Sequence, residues 1–340
     1  MNSRSAFFVC CLLAVGHGWA KSAVNLPFDG AEWTLDVSLN IGTPPQKVSF
    51  VVFSQYADGE PMIVANSPQY PEGMFNRTQS TTFQQLQPLF DHLHNRVGEN
   101  ATDVLTLGDE GLTVELPLRY YDQPFEDVID GMDVLFDASG FGLTRSTDGQ
   151  QSFFQTVLEK FEQKTVVFSY DQVLGRPSYN VSGVLTLGGK AEDRCADDWV
   201  VQPEVPWSET ADQWSMAINE VTFGAYTYDS PGSLRFQPAW WPLAMPQKYQ
   251  DLLVEAIGVP SWDHVPCDTQ LQLVFSVGGK EIRVLPDEYV MSRGDGNGCY
   301  VYAADAEQFL LPNTVFRRHC LLLDYSENFS VGFATRLSQM

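Results

Sequence analysis

The chain has 340 residues, of which 44% are hydrophobic and 19% charged, so it can bury a large core and a disordered chain is excluded. With 43 acidic against 20 basic residues its formal charge is −23, which repels phosphate backbones and anionic lipid. Nucleic acid is therefore not an expected partner, and solubilisation is the simplest role for the acidic surface.

Residues 1–20 have the pattern of a secretory signal peptide. Arg4 supplies the positive charge, the apolar run AFFVCCLLAVG follows, and Gly18-Trp19-Ala20 is a small-x-small cleavage site. The run is too short to span a bilayer, and no later stretch is longer and equally apolar. We predict a secreted, monomeric mature chain that begins near Lys21 and has no membrane span; a buried N-terminal segment is the alternative.

Most of the remaining pattern is β. In WTLDVSLNI every second residue from Trp33 to Leu39 is apolar, which is typical of a half-buried strand. Further strands are predicted in KVSFVVF, KTVVFSYD and GVLTLGG, and hairpins in VLTLGDEGLTVELPLRYY, LQLVFSVGGKEIRVLP and CLLLDYSENFSVGFAT.

Two helices are predicted, QSFFQTVLEKFEQ in the first half and PQKYQDLLVEAIG, from Pro246 to Gly258, in the second. Each has one apolar face, formed by Phe154, Val157, Leu158 and Phe161 in the first helix and by Tyr249, Leu252, Leu253 and Ile257 in the second. This arrangement indicates a β-rich molecule built twice, with one short helix in each half.

Four cysteines remain after the signal peptide: Cys195, Cys267, Cys299 and Cys320. An even number in an oxidising compartment predicts two disulfides, and the residues alone leave three pairings open. A zinc site is the alternative, although no CxxC pair accompanies them. N-glycosylation is predicted at four sequons: Asn76, Asn100, Asn180 and Asn328.

Three segments carry a resemblance to the pepsin family of aspartic endopeptidases, and above all to its nematode members. NIGTPPQKVSFVVF is similar to the family's first strand pair, GVLTLGG with GKAEDRC to its lobe crossover, and FLLPNTVFRRHCLLLDYSENFSVGFA to its closing segment. The resemblance implies a mainly β, bilobal fold with a few short helices and a cleft between two related lobes. It places these lobes at residues 21–172 and 173–340.

The resemblance also implies further details. It pairs Cys267 with Cys299 and Cys195 with Cys320, and it brings no cofactor and no metal site. The family's chemistry needs one Asp from each lobe, close enough to share a proton, so that one acts as acid and the other as base. Each such Asp stands in an Asp-Thr/Ser-Gly turn, a tripeptide that does not occur in this sequence.

The positions that correspond to the two aspartates are degenerate. In the first lobe the position is Ser54, with Tyr56 where the family has Gly; in the second lobe it is Gln237, with Ala239 in place of Gly. Neither Ser54 nor Gln237 can hold the negative charge of a general base at acidic or neutral pH.

Three further departures agree with this interpretation. The Gly that the family places beside each catalytic turn corresponds to Val134 in the first lobe and to Pro312 in the second. The stretch DHLHNRVGENATD, where the family has a substrate-covering hairpin, has no Tyr and carries the sequon at Asn100. Only KSAVNLPFDGAE stands where the family has a basic inhibitory prosegment.

Other chemistries remain open. A shifted loop could present Asp58 or Asp229 as a displaced carboxylate, and Ser54 with a histidine could form a serine-type pair, although no G-x-S-x-G motif supports it. His92 and His94 have the spacing of metal ligands on a strand, but a hairpin tip is the favoured interpretation.

These patterns favour a catalytically inactive protease homologue that keeps its cleft for a peptide or protein ligand. Tyr56, Trp240 and Trp241 are the candidate cleft-lining residues, since exposed aromatic side chains are common binding anchors; filling a remodelled core is the equal alternative for the two tryptophans. An active acid endopeptidase with a displaced carboxylate pair, and a structural or antigenic protein that binds nothing, are the competing hypotheses.

Overall fold

A computed structural model of the chain describes most of the sequence. The described ranges are 23–31, 34–53, 61–65, 73–91, 96–108, 111–122, 125–129, 132–136, 138–143, 152–173, 180–205, 214–238, 242–293 and 298–337. The predicted signal peptide lies outside them. Within these ranges no helix is long and apolar enough to cross a membrane.

The first half of the chain contains twelve of the described strands. They are β1 (Val24–Ala31), β2 (Asp36–Ile41), β3 (Gln46–Phe53), β4 (Met62–Val64), β5 (Gln84–Asp91), β6 (Arg96–Leu107), β7 (Leu112–Tyr121), β8 (Phe125–Ile129), β9 (Met132–Phe136), β10 (Gly140–Gly142), β11 (Thr165–Val173) and β12 (Asn180–Leu187). Helix α1 (Phe153–Leu158) and a 3-10 turn at Arg77–Gln79 complete this half.

The second half has the same character. Its described strands are β13 (Val200–Pro203), β14 (Ser215–Phe223), β15 (Tyr226–Arg235), β16 (Leu243–Met245), β17 (Leu273–Val277), β18 (Lys280–Val284), β19 (Val290–Ser292), β20 (Cys299–Val301), β21 (Ala303–Asp305), β22 (Phe309–Leu310), β23 (His319–Asp324) and β24 (Ser330–Thr335). It also contains helices α2 (Gln247–Ile257) and α3 (Pro286–Tyr289) and a 3-10 turn at Asn313–Arg317.

The strands form two large sheets. A 13-stranded sheet has the order β13-β24-β23-β11-β12-β1-β2-β3-β10-β4-β7-β6-β5, and a seven-stranded sheet of the second half has the order β18-β17-β14-β15-β22-β16-β21. The first six strands of the larger sheet are antiparallel throughout and come from both halves. The predicted mainly β, bilobal fold is confirmed, with a shared sheet that joins the halves.

The predicted elements form because their apolar residues face the core. In β2 the side chains alternate between buried Val37, Leu39 and Ile41 and exposed Ser38 and Asn40, which confirms the expected half-buried strand. The hairpins β6–β7, β17–β18 and β23–β24 occur where they are predicted.

Both predicted helices are present and have defined ends. A capping box between Ser152 and Gln155 begins α1, which is shorter than predicted and buries its apolar residues. Helix α2 has Pro246 as its N-cap and ends at Gly258, whose φ of +81° is a left-handed conformation that favours glycine. In α2, Tyr249 and Leu253 are buried, whereas Leu252 and Ile257 are half-buried.

Both predicted disulfides are present. Cys195 is bonded to Cys320, and Cys267 to Cys299. The first bond links the segment after β12 to β23 across 125 residues of sequence, so it fastens the crossover between the halves to the shared sheet. The division of the chain into residues 21–172 and 173–340 stays a prediction; residue 173 is the last of β11, a strand of that shared sheet.

Candidate functional site

The candidate site is built on an arrangement of four strands that occurs twice. In the first half the order is β3-β10-β4-β7, and in the second it is β15-β22-β16-β21. In each set the first two strands are parallel, the middle pair is antiparallel and the last pair is parallel. The end of β3 in the first half and the end of β15 in the second half therefore occupy equivalent places in the repeated arrangement.

The registers of these strands relate the two candidate positions to each other. Val51 of β3 pairs with Gly140 of β10, and Leu234 of β15 pairs with Phe309 of β22. Ser54 follows Val51 by three residues, and Gln237 follows Leu234 by the same number. By position in the sequence, Ser54 and Gln237 are therefore counterparts in the internal repeat, and their assignment to the two lost acids stays a prediction.

The same register corrects the expectation for Val134. That residue pairs with Asp127 in the separate hairpin β8–β9 and does not lie beside β3. The strand beside β3 is β10, and three residues after Gly140 comes Leu143, just as Pro312 comes three residues after Phe309. Leu143 is therefore the internal counterpart of Pro312, and the sequence alignment was shifted by nine residues.

Gln237 is fixed inside the protein. It follows β15, its side chain is only 2% exposed, and Pro238 beside it is also buried. The buried Tyr170 hydroxyl of β11 donates a hydrogen bond of 2.7 Å to the Pro238 carbonyl oxygen. Burial holds the pKa of Tyr170 well above its usual value, so the phenol stays a neutral donor.

A pair of buried aromatic donors holds Leu143 from the other half of the chain. The Leu143 carbonyl oxygen accepts hydrogen bonds from the Trp214 indole at 2.7 Å and from the Tyr325 hydroxyl at 2.5 Å. The two rings contact each other edge-on, with centroids 4.8 Å apart. The backbone at Pro238 and at Leu143 is thus fixed by side chains of the opposite half.

The segment after Pro312 adds buried polar atoms to this region. Asn313 Oδ1 and Thr314 Oγ1 have no hydrogen-bond partner among the described residues, although both side chains are almost completely buried. Their burial places both atoms inside the fold, beneath any surface that a ligand could contact.

The repeated four-strand arrangement agrees with a comparison of the sequence with known families. The profile described as eukaryotic aspartyl protease matches residues 37–336. The chain belongs to the eukaryotic aspartyl protease family. A search of curated proteins gives no significant match.

An active aspartyl protease needs two carboxylates that face each other, so the buried acids of the chain are informative. Within the described ranges, Asp103 and Glu288 are the buried acidic residues. Asp103 accepts hydrogen bonds from the hydroxyls of Ser80 and Thr82, and Glu288 forms a two-point ion pair with Arg318. Each is part of a local structural network on a different element.

Asp229, which the sequence offered as a displaced carboxylate, lies far from Gln237. It is exposed on β15 and pairs with Glu220 of β14. Eight residues separate it from Gln237, a distance of about 20 Å or more along an extended strand. Asp229 therefore cannot reach the place of Gln237 without rebuilding the strand.

Several predicted site residues lie outside the described residues: Ser54, Tyr56, Asp58, His92, His94, Ala239, Trp240 and Trp241. Strands β5 and β6, which come before and after residues 92–95, pair with each other in antiparallel fashion. Among the described residues, no cluster of three or more His, Cys, Asp or Glu could hold a metal ion.

Sequence reasoning missed the aromatic donors Tyr170, Trp214 and Tyr325. Tyr170 stands in an almost continuous buried run in β11, and a buried Tyr usually needs a hydrogen-bond partner, which is the signal that could have singled it out. No comparable signal in the sequence singles out Trp214.

The four predicted glycosylation sites lie on the described surface. Asn76, Asn180 and Asn328 are exposed, and Asn100 is half-buried within β6. These placements are compatible with N-linked glycans, and the modification itself stays a prediction.

Proposed function

We propose that this aspartyl protease homologue is secreted and glycosylated, has no proteolytic activity, and binds a peptide or protein in the cleft between its two lobes. The lobes correspond to residues 21–172 and 173–340. The protein acts as a monomer without a cofactor, and nucleic acid is not a partner because of the net charge of −23.

The observation that carries the proposal is that the side chain at position 237 is uncharged and buried. An uncharged amide is buried at the position that we assign to the second-lobe acid, three residues after Leu234 of β15. An amide does not take up a proton from water at pH 2–7, so it cannot act as the general base of this reaction. The absence of any Asp-Thr/Ser-Gly tripeptide in the sequence supports the same conclusion.

Unpartnered polar atoms remain inside the fold on the segment after Pro312. The amide oxygen of Asn313 and the hydroxyl of Thr314 are buried without partners in the described part of the chain, which is costly. Because neither atom is accessible from the surface, the ligand site is proposed on the candidate aromatic anchors Tyr56, Trp240 and Trp241.

An assay of proteolysis separates the proposal from its main alternative, an active endopeptidase with a displaced carboxylate pair. The purified secreted chain is incubated with acid-denatured globin from pH 2 to 7, with and without a statine-type inhibitor. We expect no cleavage above a mock-purified control. Inhibitor-sensitive cleavage would overturn the proposal, and Asp58→Asn would then show whether Asp58 supplies the displaced acid.

A binding assay separates a retained ligand site from a structural protein that binds nothing. Random peptide libraries are passed over the immobilised chain and over a Trp240→Ala/Trp241→Ala variant. Trp262→Ala is the matched control, because Trp262 is a half-buried tryptophan of the segment after α2. We expect peptide retention to fall by tenfold or more in the double variant and to stay unchanged in the control. If the wild-type chain itself retains no peptide, a structural role is the better description.

A further inference from the structure

A groove of about 400 Å³ lies outside the candidate site, on the outer face of strands β5, β6 and β7. We call it the flank groove; its side chains include Leu86, Gln87, Leu89, Asn100, Pro117 and Arg119. Grooves of roughly 300–1,000 Å³ are large enough to hold a small ligand. The groove is partly apolar and contains one of the predicted glycosylation sites.

The strand register shows that the sequon opens onto this groove. Asn100 pairs with Gln87 on one side and with Arg119 on the other, and Thr102 pairs with Pro117. Residues directly opposite one another share a face of the sheet, and so do residues two apart on one strand. Asn100 and Thr102 are half-exposed on that face, whereas the intervening Ala101 is buried on the opposite, core face.

The groove also contains the most exposed of the large hydrophobic side chains described. Leu86 is 60% exposed and is the extra residue of a β-bulge between Gln85 and Gln87. Its strand, β5, is the edge of the 13-stranded sheet. An exposed apolar edge strand promotes association between copies unless something covers it. Pro88 blunts the backbone of β5 but does not cover Leu86.

We propose that the flank groove seats the innermost sugars of an N-linked glycan on Asn100, which covers Leu86 and Leu89. In the modification, the Asn100 amide nitrogen bonds to the anomeric carbon of a lipid-linked oligosaccharide. The bond from that carbon to the lipid pyrophosphate breaks, and the amide proton leaves with the pyrophosphate. The C–H face of the sugar lies on the leucines, and Gln87 faces its polar groups. The proposal rests on passage through the secretory pathway, which is part of the proposed function.

The test compares variants that remove this glycan in two ways with variants that keep it. Asn100→Gln and Thr102→Val both abolish the sequon, Thr102→Ser keeps it, and Asn328→Gln removes a glycan at an exposed turn. Each chain is secreted from a eukaryotic host, and site occupancy is measured by mass spectrometry. Binding of a hydrophobic dye, self-association by light scattering and the thermal midpoint are then compared.

We expect Asn100 to be occupied. Both sequon-removing variants should raise dye binding at least twofold and lower the thermal midpoint by about 2 °C or more, whereas Thr102→Ser and Asn328→Gln should change neither. Enzymatic trimming to one sugar should preserve the wild-type values. In a Leu86→Ser background, removal of the Asn100 glycan should no longer raise dye binding.

Other outcomes overturn the inference. An empty Asn100 beside occupied Asn76, Asn180 and Asn328 contradicts this inference alone, whereas four empty sequons in the secreted chain contradict the proposed glycosylation as well. Suppose that Asn100 is occupied in the wild type, but that dye binding and stability are unchanged in both sequon-removing variants. This result would show that the glycan does not contact the groove. A dimer that forms through Leu86 in the fully glycosylated chain would identify a second copy as the occupant.

Discussion

The Tyr170 hydroxyl donates a hydrogen bond to the Pro238 carbonyl oxygen across 2.7 Å, between residues that are 68 positions apart and both buried. Tyr170 belongs to β11 of the shared sheet, and Pro238 directly follows Gln237. The bond therefore connects the shared sheet to the backbone of the second candidate position, and the stacking of Tyr170 on Phe316 holds the phenol in place.

Replacement of Tyr170 by Phe should destabilise the protein. The substitution keeps the ring but leaves the Pro238 carbonyl buried without this donor, which costs about 1–3 kcal/mol. Chemical denaturation of Tyr170→Phe measures the loss in the free energy of unfolding. Tyr226→Phe is the control, because Tyr226 is exposed and should be neutral within about 0.5 kcal/mol. Equal midpoints for the two variants would contradict the importance of the bond.

Restoration of the two acids should not restore proteolysis. The variant Ser54→Asp/Gln237→Asp keeps Tyr56 and Ala239 where the family has glycine, so the new carboxylates are not held in the family's geometry. Misplacement of a catalytic group by about 1 Å is enough to lower a rate about a hundredfold. Digestion of globin at acidic pH measures the outcome against a mock-purified control. Cleavage by the double variant would show that only the acids had been lost and that the scaffold had stayed competent.

The single variant Gln237→Asp should be destabilised in a way that depends on pH. Burial raises the pKa of a carboxyl, so the native state binds more protons than the unfolded state and stability decreases as pH rises above about 4. The deficit in thermal midpoint relative to Gln270→Asp, a substitution at an exposed residue, should therefore grow from pH 4 to pH 7. A constant deficit would indicate that position 237 is solvated.

His319 should make the protein less stable in acid. Burial, with smaller contributions from Arg318 and Lys280, lowers the pKa of His319 to about 4, whereas Asp198 acts in the opposite direction. The unfolded state then binds more protons than the native state between about pH 4 and 6.5. The free energy of unfolding should fall as pH decreases through this window, by a contribution on the order of 3 kcal/mol.

The variant His319→Gln tests this assignment because it removes the titrating group. Its stability should depend less on pH between 4 and 6.5 than that of the wild type, measured by denaturant midpoints at several pH values. His264→Gln is the matched control, since it makes the same change at an exposed histidine. Parallel profiles for wild type and His319→Gln would show that other groups cause the acid sensitivity.

Removal of the Cys195–Cys320 bond should cost more stability than removal of the Cys267–Cys299 bond. The two bonds join residues separated by 125 and 32 positions, and the entropy of closing a loop grows with its length. The expected losses are about 5 and about 4 kcal/mol for the paired Cys→Ala variants. Thermal unfolding of the two double variants compares them, and the opposite order would mean that local packing outweighs loop entropy.

The sequence predicted most of the local structure because local structure depends on neighbours in the chain. Alternation of apolar residues identified β2, and Gly278-Gly279 identified the turn between β17 and β18. The pairing of Cys195 with Cys320 came from the resemblance to a known family and is confirmed. The residues by themselves had allowed three pairings.

The assignment of Val134 to the position beside β3 is wrong because it depends on which distant strands pair. Matching of apolar residues along the chain cannot distinguish the strand beside β3 from the nearby hairpin β8–β9, since both contain apolar residues near Gly. Only the parallel register of β3 with β10 identifies Leu143 as the counterpart of Pro312, and that register joins segments almost 90 residues apart.

By itself, the sequence determined that the chain is a mainly β member of a protease family and that it contains no Asp-Thr/Ser-Gly tripeptide, because composition, alternation and short motifs are properties of neighbouring residues. Only the tertiary structure decided that Gln237 is buried and that Tyr170 holds the backbone beside it. It also decided that Asn100 opens onto a groove with Leu86. Burial and strand register depend on which distant segments pack together, and hydrophobic packing is not directional enough for one segment to specify its partner.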